Sequence, residues 1–434
     1  MKALKLLMMA FAVIVTSCYF FPFVLSALPM ANSKMILAVV GLVLLGISLT
    51  KKSNAAVDNE FLILSVWALA ISLIAFISIT VNNTPDDTFS MYFMSMWVWL
   101  GGAYAVIILI KSIHGRVSVP LVANYLLAVC VIQCVLALVF DNNATAEDWH
   151  QKTFAGEAFM GNTENDRLHG IGCSLDVAGF RFAAVMCMAA FMLCSSFNKQ
   201  NTWITTAYLL SICFITVVGN MIARSALIGS IMCFAYVILF SLVKNENNKL
   251  LLYITAIGTA ATLICVYLYN TDVGFRNNIR FGFEGFFSFA ETGEWRTNSN
   301  EILKNMVVWP DNLKTWIIGD GYLNNPLDSN LDTFDPYYVG PTYGGYYKGT
   351  DIGYLRFIFY FGLTGLIAFS GFLIYASKVC VDRFPAFRWM FLMLLALNFI
   401  EWFKVSTDLF MVFAPFLCIS AEENSEYLRR TEDS

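Results

Sequence analysis

The feature that most constrains this chain is its series of long apolar runs. A membrane-spanning helix needs about 20 predominantly apolar residues, and 58% of the 434 residues are hydrophobic whereas only 13% are charged. The charged fraction is roughly half that of a soluble domain. The pattern therefore predicts an all-α polytopic membrane protein and excludes an ordinary cytosolic enzyme.

Polar breaks divide the apolar runs into about 12 predicted transmembrane helices, which form one integral membrane domain over residues 1–434. The predicted spans lie near residues 6–28, 34–50, 61–81, 90–110, 119–140, 177–197, 203–219, 224–243, 250–269, 351–376, 388–403 and 405–420. The first apolar run continues beyond Cys18 to about Leu28. Since that is too long for the core of a secretory signal, we predict an uncleaved first span.

Basic residues indicate the orientation, because Lys and Arg concentrate in cytoplasmic loops. With the N-terminus inside, about half of the 27 Lys and Arg residues become cytoplasmic, namely Lys2, Lys5, Lys51, Lys52, Lys111, Arg116, Lys199, Lys244, Lys249, Lys378, Arg383, Arg388, Arg429 and Arg430. This topology places a loop at 141–176 and a large loop at 270–350, between spans 9 and 10, on the external face. The tail at 421–434 is cytoplasmic. Any chemistry is therefore expected outside.

The chain lacks the residues that several functional classes need. The net charge of −4 gives no basic surplus for a nucleic-acid partner. Ten of the 11 cysteines lie in or beside apolar runs, and no CxxC, HExxH or GxSxG motif is present. We predict no metal site and no cofactor. A general base would have to be a carboxylate or one of the two predicted external histidines, His150 and His169.

Three arginines lie near the predicted external ends of their helices: Arg181, Arg224 and Arg356. An arginine at such a depth costs a few kcal/mol unless it is paired or lines a wet cavity. Snorkelling, or pairing with Asp176 or Asp351, would explain each one singly. Because guanidinium groups bind phosphates bidentately, a cluster of them predicts a site for a lipid-linked phosphate or diphosphate.

A second set of charges, Glu401, Lys404 and Asp408, interrupts the last two predicted spans. Their spacing would place them on one face of a continuous helix as an ion cluster. The favoured interpretation is a solvated hairpin tip on the external surface.

The large external loop is rich in aromatic residues, which suit either sugar faces or the membrane interface. The tract 281–289 is predicted to lie on or re-enter the membrane. Residues 299–308 have apolar positions at helical spacing, which predicts an amphipathic helix lying over the spans.

Several short motifs give the chain a family resemblance over roughly residues 160–370. They are Arg167-Leu168-His169-Gly170, Ala223-Arg224-Ser225-Ala226-Leu227-Ile228-Gly229, Glu294-Trp295-Arg296, Gly319-Asp320-Gly321-Tyr322, Thr350-Asp351-Ile352-Gly353-Tyr354-Leu355-Arg356 and Phe361-Gly362-Leu363-Thr364-Gly365. In the order and placement of these motifs, the chain resembles the O-antigen polymerase and O-antigen ligase superfamily. The resemblance implies a GT-C-like membrane fold with a large periplasmic loop.

The resemblance also implies an activity. A polyprenyl diphosphate-linked glycan, in bacteria carried on undecaprenyl diphosphate, would donate its sugar chain to a lipid-linked acceptor at the external face of the inner membrane. Neither a metal nor a nucleotide sugar would be needed. The expected partners are this lipid-linked donor and acceptor, the bilayer and a chain-length regulator in the membrane.

Individual roles follow from the matched motifs. Arg224 and Arg296 match arginines that hold the diphosphate in the family. Asp351 stands where the ligase branch has a histidine, which favours a polymerase and makes Asp351 the expected general base. The expected substrate-binding residues are Arg167, His169, Arg181, Tyr354 and Arg356.

Two alternatives stay open. One is an O-antigen ligase, and the other is a flippase or transporter that would use the same arginines to bind a lipid-linked glycan. The long aromatic loop and the lack of a charge in the middle of any early span favour an enzyme.

Overall fold

The computed structural model describes residues 2–50, 59–155, 167–197, 202–244, 248–325 and 345–425. In these ranges the chain is mostly helical, and nine helices are long and apolar enough to cross a membrane. The class predicted from the sequence, an all-α polytopic membrane protein, is confirmed.

The helices, in chain order, are α1 (Lys2–Phe20), α2 (Ser33–Thr50), α3 (Asn59–Asn82), α4 (Tyr92–His114), α5 (Val119–Asn142), α6 (Ala144–Thr153), α7 (Leu175–Phe197), α8 (Thr202–Phe214), α9 (Asn220–Ile222), α10 (Ala226–Lys244), α11 (Asn248–Thr271), α12 (Val273–Gly282), α13 (Glu284–Thr292), α14 (Asn298–Asn305), α15 (Leu313–Ile317), α16 (Gly353–Arg383), α17 (Arg388–Glu401) and α18 (Phe410–Leu417). Strands β1 (Val24–Leu25), β2 (Leu28–Asn32) and β3 (Phe154–Ala155) form a small antiparallel sheet in the order β2-β1-β3.

The nine long apolar helices are α1, α3, α4, α5, α7, α8 with its continuation into α9, α10, α11 and α16. Three of the predicted spans correspond to shorter helices, namely α2, α17 and α18. The first span ends at Phe20, earlier than predicted, because the next residues enter the sheet.

Small residues allow the helices of the bundle to pack closely, as is common in membrane proteins. A side chain at Gly41 of α2 would lie 1.8 Å from the carbonyl oxygen of Gly101 in α4. A side chain at Gly229 of α10 would lie 2.2 Å from Cα of Ala183 in α7. Helix α7 is the most buried of the nine, and nearly all of its apolar segment lies inside the protein.

The long connections meet at one end of the bundle. Strand β3, which follows α6, pairs with β1 between α1 and α2. The amide of Leu323 donates to Oδ2 of Asp86 at 2.8 Å, which joins the large loop to the α3–α4 connection. The sequence predicts that this end is external.

The opposite end of the bundle holds ion pairs from the segments predicted to be cytoplasmic. Arg383 at the end of α16 pairs with Glu60 at the start of α3, and Lys111 of α4 pairs with Glu423. The arrangement is compatible with the predicted topology, whose orientation stays a prediction.

Helix α16 is kinked at Phe361 and Gly362, where Gly362 has φ +69° and ψ −174°. A kink in a membrane helix leaves carbonyls without helical donors. Here the carbonyls of Phe359 and Tyr360 accept from the amides of Asp320 at 2.6 Å and Gly321 at 3.0 Å. The glycine-containing motif of the large loop therefore docks into the break in α16.

The prediction of a solvated tip at Glu401, Lys404 and Asp408 is wrong. The helix ends at Glu401, which is fully buried, and the following segment folds back into the bundle. Asp408 accepts from the hydroxyl of Tyr92 at 2.7 Å, and Lys404 pairs with Asp176. The alternative of a continuous helix is also wrong, since α17 and α18 are separated by irregular chain.

The described part of the large loop forms short helices. Helix α14 confirms the helical prediction for the segment that begins near residue 299, although no residue of α14 is buried. The predicted membrane-associated tract 281–289 forms the end of α12 and most of α13. Several of the loop aromatics, at positions 334, 337, 338 and 343, lie outside the described residues.

Candidate functional site

Three arginines that are distant in the sequence line one cavity of about 440 Å³ at the end of the bundle that carries the long connections. Arg167 precedes α7, Arg224 lies between α9 and α10, and Arg280 belongs to α12. Two carboxylates, Glu284 and Glu291, share this lining. We call this space the arginine cavity; its lining has more cationic than anionic side chains.

An aromatic ring holds two of the guanidinium groups. The Cζ atoms of Arg224 and Arg167 lie 4.6 Å and 4.8 Å from the ring centroid of Phe281, a distance at which a cation is attracted to the ring face. Arg224 also pairs with Glu284. The Nε atom of Arg167 is buried without a hydrogen-bond partner, and the charges of the two arginines repel each other. An anion in the cavity would relieve both costs.

The backbone around Arg224 explains its position. Helix α8 widens into a π turn at Ile215–Gly219, a feature often found at functional sites. The chain leaves helical geometry at Ala223, and the amide of Leu227 donates to the carbonyl of Arg224 at 3.1 Å as α10 begins. Arg224 therefore precedes the first turn of a long helix, where free amides and the helix dipole favour an anion.

Asp351 and Arg356 form a second charged group. Nη1 of Arg356 donates to Oδ1 of Asp351 at 3.0 Å, and Nη2 donates to Oδ1 of Asn324 at 3.1 Å. The ring centroid of Tyr346 lies 4.7 Å from Cζ of Arg356. Burial raises the pKa of Asp351 to about 6, although the Arg356 cation opposes the rise. A carboxylate with such a pKa can both accept and release a proton near neutral pH.

Asp176, in the first turn of α7, interacts with both of these groups. Its Oδ1 accepts from Nζ of Lys404 at 2.7 Å and from Oγ of Ser225, the neighbour of Arg224, at 3.0 Å. It also interacts electrostatically with Arg167 and with Asp351. The arginine cavity and the Asp351 group therefore belong to one electrostatic system.

Arg181 has a different environment. It is only 7% exposed, its Nε lies 3.3 Å from Sδ of Met411, and its Cζ lies 5.3 Å from the ring centroid of Phe21. It also acts electrostatically on Lys34, which lies near Asp408. Its described contacts place Arg181 in the interior, apart from the arginine cavity.

Three further predicted site residues lie elsewhere. Arg296 is exposed and pairs with Glu294, its near neighbour in the sequence. The hydroxyl of Tyr354 donates to the carbonyl of Phe399 at 2.9 Å, so this side chain joins α16 to α17. His169 has its Nε2 at 3.2 Å from Oε2 of Glu147 in α6. None of the three lines the arginine cavity.

Sequence reasoning missed Arg280, Phe281 and Asp176 as members of the site. One feature of the sequence could have indicated Arg280. Arg276 and Arg280 are four residues apart in the segment that forms α12. Which of the two faces the cavity depends on how α12 packs, and this could not be read from one sequence.

No protein-family model, curated protein or solved structure matches this chain.

Proposed function

We propose that this chain is a metal-independent glycosyltransferase that joins polyprenyl diphosphate-linked oligosaccharide repeat units, making an O-antigen or capsule polysaccharide. Its proposed location is the bacterial inner membrane, with the active site facing the periplasm. The observation that carries the proposal is that α12 supplies residues to both an apolar cavity and the arginine cavity.

The apolar cavity has a volume of about 570 Å³ and lies among α5, α8, α11 and α12. Its lining includes Leu210, Phe214, Val217, Ile264 and Leu268.

Phe275 and Asn278 of α12 face the apolar cavity, whereas Arg280 and Phe281 face the arginine cavity. A polyprenyl diphosphate has a long apolar chain and a doubly charged headgroup. One helix that borders both kinds of space suits a ligand of this class, because the tail and the headgroup need different surroundings.

In the proposed reaction, a hydroxyl of the acceptor sugar attacks the anomeric carbon of the donor. A new carbon–oxygen bond forms while the bond from the anomeric carbon to the diphosphate oxygen breaks. Asp351 accepts the hydroxyl proton as general base. The electron pair of the broken bond leaves with the polyprenyl diphosphate, and Arg224, Arg167 and Arg280 stabilise its charge.

The predicted architecture is part of the proposal. A count of about 12 spans requires α2, α17 and α18 to cross or enter the membrane as well. The GT-C-like resemblance and the chain-length regulator as a partner are likewise proposed. Arg296 would join the site only if the large loop moved toward the cavity when substrate binds.

Deletion in the source organism, followed by gel analysis of its surface polysaccharide, tests the function. We expect loss of the polymer ladder, with a single repeat unit left on the lipid carrier. Polymer that stays on the carrier would show a ligase, and repeat units that accumulate on the cytoplasmic side would show a flippase. Either result would contradict the polymerase.

A further inference from the structure

We propose that Glu147, His150 and His169 together bind one zinc ion at the end of the bundle that carries the long connections. One ligand atom from each of these residues lies within 4.8 Å of the other two. The proposal departs from the prediction of no metal site, because the three residues converge only through the fold. The proposed transfer reaction does not use this group, and the proposal does not depend on that function.

The three residues converge through the fold. Glu147 and His150 are three residues apart on α6, so both side chains point to the same face of that helix. His169 comes from the segment before α7. Its Nε2 lies 3.2 Å from Oε2 of Glu147, and two ligands of a tetrahedral zinc ion with bonds of about 2.0 to 2.1 Å are roughly 3.3 Å apart.

A neighbouring residue orients the carboxylate. Nε2 of Gln151 donates to Oε1 of Glu147 at 2.6 Å. The other oxygen, Oε2, is buried and has no hydrogen-bond partner, and it faces His169. A metal-ligating carboxylate whose second oxygen is held by a hydrogen bond is typical of zinc sites.

Aromatic rings enclose the group. The centroid of Phe140 lies 4.6 Å from that of His150 and 6.1 Å from that of His169, and Phe154 lies 5.3 Å from His150. His150 is fully buried. Such surroundings shield the group from bulk solvent, and the apolar shell around a metal site controls how far solvent can reach it.

The donor set indicates which metal. Two imidazoles and one carboxylate suit zinc, with water in the fourth position, whereas calcium and magnesium take oxygen ligands. The ion would fasten α6 to the segment before α7, and Arg167 lies two residues before His169 in that segment. Zinc ligation would also remove His169 from the candidates for general base.

Zinc content of the purified full-length protein tests the proposal. The protein is isolated in detergent with an affinity tag that contains no histidine, equilibrated with zinc, desalted and analysed by mass spectrometry. We expect about one zinc ion per chain. His150→Ala and His169→Ala should each weaken zinc affinity by about 100-fold or more, since loss of an outer-shell partner alone costs 10- to 100-fold.

The chain offers a matched control, because it contains only three histidines. His114 lies at the opposite end of the bundle, where its Nε2 is 2.9 Å from the hydroxyl of Tyr125. His114→Ala should retain zinc as the wild type does. Glu147→Gln, which keeps the size of the side chain, should weaken zinc affinity by about 10-fold or more. This variant keeps the test valid if a histidine variant does not fold.

A wild-type protein that holds no zinc after equilibration would overturn the proposal. So would retention of zinc by a folded His169→Ala or Glu147→Gln protein, or an equal loss in His114→Ala. In the first case, the three side chains would form only an electrostatic cluster without a metal.

Discussion

Oδ1 of Asp176 lies 2.7 Å from Nζ of Lys404, which joins the first turn of α7 to the segment after α17. The same oxygen accepts from Oγ of Ser225, beside Arg224. This contact holds the chain next to both charged groups of the proposed site, so its loss should affect the stability of the fold as well as the site.

The Asp176–Lys404 pair can be tested by a double-mutant cycle. Lys404→Met and Asp176→Asn should each lower the free energy of unfolding by about 1 to 2 kcal/mol, less than for a fully buried pair because both side chains remain partly exposed. The double variant should lose less free energy of unfolding than the two single variants lose together, as measured by unfolding in detergent. Strict additivity would show that the two side chains are not coupled.

The arginines of α12 provide a matched comparison for the diphosphate site. Arg280 lines the arginine cavity, whereas Arg276 donates to the carbonyls of Tyr269 and Asn270 outside it. Lysine cannot reproduce a bidentate phosphate contact. We expect Arg280→Lys and Arg224→Lys to lower kcat/KM for lipid-linked repeats by about 10- to 100-fold, and Arg276→Lys to change it by less than about 2-fold. Equal effects of the three substitutions would contradict a specific diphosphate site in the arginine cavity.

Asp351 should control the pH dependence of the reaction. Since burial raises its pKa to about 6, the carboxylate is ionised and able to accept a proton above that pH and becomes protonated below it. Wild-type turnover should therefore fall about tenfold per pH unit below pH 6. Asp351→Asn should lower turnover at pH 8 by roughly 100-fold or more and abolish this acidic limb.

Protein abundance separates the two roles of Asp351. If it serves mainly to neutralise Arg356, with which it forms an ion pair at 3.0 Å, the asparagine variant should be scarce in the membrane and active in proportion to its amount. Normal abundance with lost turnover supports a base. Turnover that follows abundance would assign the pair a structural role.

Sequence patterning predicted the helical membrane class because each span must satisfy its own backbone in lipid, which imposes a strong local signal. It overestimated the first span, since the pairing of Val24 with Ala155 in the small sheet depends on residues distant in the chain. It also misplaced the segment around Glu401, whose burial depends on packing against the rest of the bundle.

The residues of the site were predicted only in part, because their arrangement also depends on packing. Arg224 and Arg167 were selected from local motifs, and the structure brings them together around Phe281. Arg181 resembles them in the sequence, but α7 directs it toward Met411 instead. Charge and predicted depth can be read from a sequence, whereas the direction of a side chain within a bundle depends on its neighbours.

The predicted topology can be tested with single cysteines. A cysteine at Asn300, an exposed residue in α14, should react with a membrane-impermeant thiol reagent in intact, outer-membrane-permeabilised cells. A cysteine at Ser425, exposed at the opposite end, should react only after lysis. The native cysteines among the described residues are buried or half-buried, which keeps the background low. The reverse labelling pattern would place the proposed site in the cytoplasm.

The most direct test of the central claim is polymer formation by the purified protein in liposomes, supplied only with a polyprenyl diphosphate-linked repeat unit. We predict lipid-linked products of two and more repeats, with one polyprenyl diphosphate released per bond formed and no need for a nucleotide sugar. Movement of the lipid-linked repeat across the bilayer without any new glycosidic bond would contradict the account.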